Sequence, residues 1–94
     1  MLDRKAYLKA CECLRTIAHP DRLKMIQILL KKESQVKELA KICNIRPNVA
    51  SEHLTIMKDR DLLEATRIGR DVFYKIKEKA LSNIFKCIEK RFSK

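Results

Sequence analysis

Apolar residues recur along this chain with two different periods, and the period changes near residue 64. In "RKAYLKACECLRTIA" the residues Tyr7, Ala10, Cys11, Leu14, Ile17 and Ala18 fall at i, i+3, i+4 spacing and predict a first helix with one apolar stripe. "HP" interrupts the pattern, and Pro20 suits the first position of a second helix, where its missing N–H costs nothing. That helix, "PDRLKMIQILLKK", is expected to bury Leu23, Ile26, Leu29 and either Ile28 or Leu30. A shorter third helix follows in "ESQVKELAKICNI", with Ser34 as its cap, Val36, Leu39, Ala40 and Cys43 inward, and Asn44 as a left-handed terminal residue. Arg46-Pro47 opens a fourth helix running to about Arg60, with Val49, Ala50, Leu54, Met57 and Leu62 inward. "EATRIGRDVFYKI" then reads as a two-stranded hairpin: Val72, Tyr74 and Ile76 alternate with Phe73 and Lys75, and Gly69 supplies a positive φ at the turn. "KEKALSNIFKCIEKRF" closes the chain as a fifth helix striped by Leu81, Ile84, Phe85, Ile88 and Phe92.

The order α-α-α-α-β-β-α is that of a winged helix-turn-helix, a mainly α fold with a β-hairpin wing. All of residues 1–94 are expected to form one such domain, with the helix-turn-helix over 34–60 and the wing over 63–76. The fourth helix is then the one that can enter a major groove. Its first turns present Asn48, Ser51, Glu52 and His53, side chains suited to base edges or phosphates.

Length and charge sharpen this picture. A domain of 94 residues is marginal alone, which favours an oligomer. The net charge of +10 favours a polyanionic partner through counterion release. Yet the charge is unevenly spread. Residues 46–74 hold five basic and five acidic side chains, whereas residues 1–32 hold eight and three and residues 75–94 hold seven and two. The excess therefore lies on the terminal helices, which either flank a dimer centre and touch phosphates between two half-sites or, as is expected for most of their lysines, simply wet an amphipathic face. No run of about 18 apolar residues is present and the N-terminus does not read as a signal peptide. A cytoplasmic protein with reduced cysteines and no membrane partner is expected.

Three stretches in order, "LRTIAHPDRLKMIQILL", "VKELAKICNIRPNVASEHLTIMKDRDLLE" and "TRIGRDVFYKI", resemble the ArsR/SmtB family of bacterial and archaeal repressors over roughly residues 14 to 76. The resemblance implies a homodimeric repressor that binds double-stranded operator DNA and releases it on meeting a metal ion or another signal. By position it places Asn48, Val49, Ser51, Glu52 and His53 on the recognition helix, entered at Arg46, and Arg67, Gly69 and Arg70 on the wing. It assigns dimerisation to the first and last helices, residues 1–18 and 77–94, with Leu8, Cys11, Leu14, Leu81, Ile84, Phe85 and Ile88 at the interface. A two-fold dimer implies an inverted-repeat target. Glu52 departs from the family pattern, where that position is more often neutral or basic. It could accept a hydrogen bond from cytosine N4 or repel phosphate.

The family's common metal sites do not carry over. Where thiolates would be needed before "LA", this chain has Gln35 and Lys37, and a protonated lysine is a poor ligand. The last helix holds no histidine, so its zinc site is missing too, and no metal or cofactor is expected. Of the four cysteines, Cys43 reads as a small buried hydrophobe. Cys11 and Cys13 lie about 200° apart around a helix and cannot close on one ion; Cys11 is expected on the buried stripe and Cys13 beside or away from it. A redox or soft-metal switch would draw on Cys11, Cys13 and Cys87, provided the terminal helices meet.

Catalysis finds little support. A Cys–His nucleophile would have to recruit His19 or His53, and neither a glycine-rich phosphate loop nor an acidic cluster is present. The competing expectation is a winged helix used for protein or RNA contact without operator binding.

Overall fold

The computed structural model describes residues 1–93. Its elements run α1 (Arg4–Ile17), α2 (Pro20–Lys31), β1 (Ser34–Gln35), α3 (Val36–Cys43), α4 (Pro47–Asp59), β2 (Leu63–Ile68), β3 (Asp71–Ile76) and α5 (Leu81–Phe92). This is the winged helix-turn-helix that the periodicity predicts, with one strand added.

Local chemistry sets most boundaries. Asp3 caps α1, its Oδ1 accepting from the Ala6 amide at 2.8 Å. Pro20 and Pro47 occupy the first turns of α2 and α4. Asn44 ends α3 in the left-handed region at φ 56°, and the Ile45 amide returns to the Ala40 carbonyl at 3.0 Å. Asp61 takes the same conformation at φ 61° and turns the chain out of α4, with the Leu62 amide bonded to the Met57 carbonyl. At the wing tip Ile68 pairs with Asp71, leaving Gly69 and Arg70 as the turn. Gly69 has φ 64° and Arg70 has none of the positive values, the φ pattern of a type II′ hairpin.

The sheet is antiparallel in the order β1-β3-β2. β1 corrects the expectation for Ser34. That residue is not the helix cap; it is buried, pairs with Tyr74 across the sheet, and its hydroxyl donates to the Lys32 carbonyl. Gln35 caps α3 instead, its amide donating to Glu38 Oε1 at 3.2 Å.

One core joins these elements. Met25, Ile26, Leu39, Ala50, Leu54 and Met57 are fully enclosed, and Leu62, Leu63, Tyr74, Ile76, Leu81 and Phe85 close it from the sheet and α5. Two expectations for the terminal helices change. Leu81 and Phe85 pack inside the protomer's own core and are not free to face a second subunit, while Ile84 and Ile88 are half-buried. On α1 the protomer buries Thr16 and Ile17 and packs Cys13 against the core. The stripe of Tyr7, Leu8, Cys11 and Leu14 stays exposed, so the two cysteines exchange the places expected of them. No described helix is long and apolar enough to cross a membrane.

Candidate nucleic-acid interface

Burial of Ala50, Leu54 and Met57 fixes the rotation of α4. At about 100° per residue, the side opposite that buried line carries Asn48, Glu52, Thr55, Ile56 and Asp59, all of them exposed. Ser51 sits half-buried at the edge of this face and lines a shallow depression with Glu52, Thr55 and Ile56. Arg46 is exposed at the N-terminal end of the helix, and Val49 is half-buried. The wing tip exposes Arg67, Ile68, Gly69 and Arg70. Thr55 and Ile56 escaped the sequence reading, although the same helical period that picks Asn48 and Glu52 points to them.

His53 stands apart from this face. Its ring lies 4.5 Å from that of His19, and its Nδ1 accepts from the Arg22 Nε at 3.0 Å. The Arg22 guanidinium also donates to the Thr16 carbonyl at 2.8 Å. His53 thus ties α4 to the α1–α2 junction. Burial, and then the neighbouring His19 and Arg22, push its pKa below 6.5. His19, Asp21 and His53 bring one ligand atom each within 4.8 Å of one another. However, both imidazole Nδ1 atoms already accept hydrogen bonds, His19 from the Asp21 amide and His53 from Arg22. Each neutral ring then carries its proton on Nε2, leaving no second lone pair for an ion. The adjacent guanidinium opposes a cation as well.

Ion pairs sort the charge that the sequence leaves evenly balanced. Lys37 holds Asp71 at 3.1 Å, Lys75 holds Glu64 at 3.3 Å across the strands, and Lys77 holds Asp61 at 3.1 Å. Arg60 is drawn to Glu12 on α1 at 2.9 Å. Among the described residues Arg46, Lys58, Arg67 and Arg70 have no carboxylate partner. Among the described residues the acids Glu52 and Asp59 have no cationic partner. Each exposed pair contributes little stability, but together they neutralise most of the acids flanking the wing and leave its arginines open to an anion.

The thiols are free and differently placed. Cys43 donates to the Asp21 carbonyl at 4.0 Å, and burial, then Asp21, raises its pKa, which keeps it a thiol. Cys13 lies beside the Glu12–Arg60 pair, against the C-terminal end of α4. Cys11 and Cys87 are exposed on α1 and α5.

Known proteins share the fold and the sequence pattern of this chain. Residues 19–65 match the family model described as "Bacterial regulatory protein, arsR family". The transcriptional repressor PagR of Bacillus anthracis is 32% identical over 78 residues, covering 82% of this chain and 78% of PagR. Its crystal structure superposes with a TM-score of 0.76 over 92% of this chain and 99% of that one, at 26% identity. A transcriptional repressor SmtB homolog of Synechocystis is 27% identical over 80% of this chain, which spans 57% of that protein's length. The homodimeric winged helix-turn-helix DNA-binding domain of a possible ArsR-family transcriptional regulator from Mycobacterium bovis superposes with a TM-score of 0.79 at 26% identity, covering 95% of this chain and 84% of that one.

Proposed function

The chain belongs to the arsR family of bacterial regulatory proteins, and we propose that it is a homodimeric transcriptional repressor that binds an inverted-repeat operator in the cytoplasm. The observation that carries this reading is the charge sorting. On the outer face of α4 and on the wing, three of the five acids are held by lysines, while Arg46, Arg67 and Arg70 are exposed with no carboxylate partner. Asn48, Ser51, Glu52 and Thr55 would meet base edges, and Ile56 would meet a thymine methyl. Arg46, Arg67 and Arg70 would hold phosphates and set the register. His53 positions the reading helix from behind. The Mycobacterium bovis relative is homodimeric; in this chain the exposed stripe of α1 with Ile84 and Ile88 of α5 would form the dimer.

Selection of duplexes from a random pool tests this. An inverted repeat should emerge, and failure to enrich any site would overturn the reading. Control by zinc at either common family site has no ligands here. A thiol response would rest on Cys11 and Cys87, which are exposed on the two helices assigned to the dimer. Oxidant should then weaken operator binding in the parent and spare Cys87→Ser. Equal binding by oxidised and reduced parent would remove thiol chemistry from the account.

A further inference from the structure

We infer that Glu52 selects a cytosine in each half of the operator; this rests on the DNA-binding reading above. Glu52 lies about 190° around α4 from the buried line of Ala50, Leu54 and Met57, so it points away from the core, and it does so in the N-terminal half of the helix, the half that contacts base edges in a helix-turn-helix. It is exposed and has no hydrogen-bond or ion-pair partner among the described residues. Asp61, Glu64 and Asp71, by contrast, are each held by a lysine, and Asp59, the other unpaired acid of α4, ends the helix.

A bare carboxylate at the centre of a DNA-reading face has few outcomes. It repels phosphates, and it loses its water when the helix enters the groove, so it must find a donor there or weaken binding severely. In the major groove the donors are the amino groups of cytosine and adenine. Adenine sets its N7 acceptor beside N6, facing a carboxylate with a second negative dipole. Cytosine presents N4 with no acceptor on the same base edge, so a carboxylate, which only accepts, fits cytosine. The Ser51 and Thr55 hydroxyls beside Glu52 can donate to its second oxygen when water leaves.

The discriminating experiment is duplex selection from a random pool with the full chain as parent, Glu52→Gln and Glu52→Ala. All three should stay folded, because Glu52 touches nothing that holds the fold, and should enrich inverted repeats that agree everywhere but at the position Glu52 reads. The parent should show cytosine at one position of each half-site. Glu52→Ala should flatten that column. Glu52→Gln should move it to adenine, which an amide can bind in both senses. Replacing that cytosine in the selected operator should weaken the parent about tenfold and Glu52→Ala by less than about twofold. A cytosine column retained in Glu52→Ala, or a parent with no cytosine column, would overturn the assignment while leaving operator binding intact. No enriched site for the parent would overturn both.

Discussion

The reading unit and the terminal helices are built on opposite terms. In α4 the apolar face is fully enclosed, and around it the acids of the wing are paired with lysines while Glu52, Asp59 and a few arginines stay uncommitted. In α1 the apolar stripe is bare, with Leu8 at 51% and Leu14 at 54% exposed, and only the last turns are buried in the protomer. α5 is intermediate: Leu81 and Phe85 anchor it inward while Phe92 stands 73% exposed. The terminal segments nevertheless carry the net charge of the chain. Total charge therefore does not mark the functional surface. Within residues 46–74, where five basic and five acidic side chains balance, the fold pairs three of the acids and leaves Arg46, Arg67 and Arg70 without a carboxylate.

The largest effect expected from this contrast comes from placing a charge in the bare stripe. Leu14→Glu should halve the mass measured by light scattering and leave the protomer folded, since Leu14 packs on nothing in its own core. Operator binding should fall with it, because one reading helix then meets one half-site. A parent that is already monomeric, or a mutant that stays dimeric, would break the comparison.

Next in size is the enclosed side. Leu54→Ala should destabilise the protein by about 2–5 kcal/mol in denaturant unfolding, as for other large-to-small core changes. A loss below about 0.5 kcal/mol, the range of ordinary surface changes, would mean α4 is not anchored as described.

The smallest effect concerns the clasp between the two regions. His53 has a lowered pKa, so the unfolded chain binds its proton more readily than the folded one. Its contribution to stability is complete above its ordinary value of 6.5 and is lost as pH falls through the lower folded value. Protonation would remove the acceptor for Arg22 and face both that cation and His19, with the carboxylates of Asp21 and Glu52 offsetting part of the cost. Thermal stability should decline below about pH 6.5 more steeply in the parent than in His53→Gln. Parallel profiles would remove His53 from the clasp.

Most of the fold could be read from the sequence because its signals are local. Pro20, Pro47, Asn44 and Gly69 each act within a turn of their own position, and the helical stripes need no partner to be seen. Most of the misses are non-local. β1 is two residues long and has no period; only its pairing with Tyr74 and Phe73 makes it a strand. Thr16, Cys13 and Ile17 give α1 a second, more polar face, and it is this face that the core takes. The wing's charge balance shifts through lysines distant in sequence, and His53 is turned inward by Arg22, 31 positions away. On α4, by contrast, Thr55 and Ile56 were readable by continuing the period one turn beyond Glu52.

The central claim is that the unpaired arginines of the wing, and not the lysines of the terminal helices, make the phosphate contacts. The direct test is the salt dependence of affinity for the selected operator, measured for the parent, Arg67→Ala/Arg70→Ala and Lys86→Ala/Lys90→Ala. With two arginines lost from each of two subunits, the slope of log K against log salt should become shallower by roughly 3.6, while the lysine double mutant keeps the parent's slope. A slope unchanged by loss of the arginines but reduced by loss of the lysines would contradict the account.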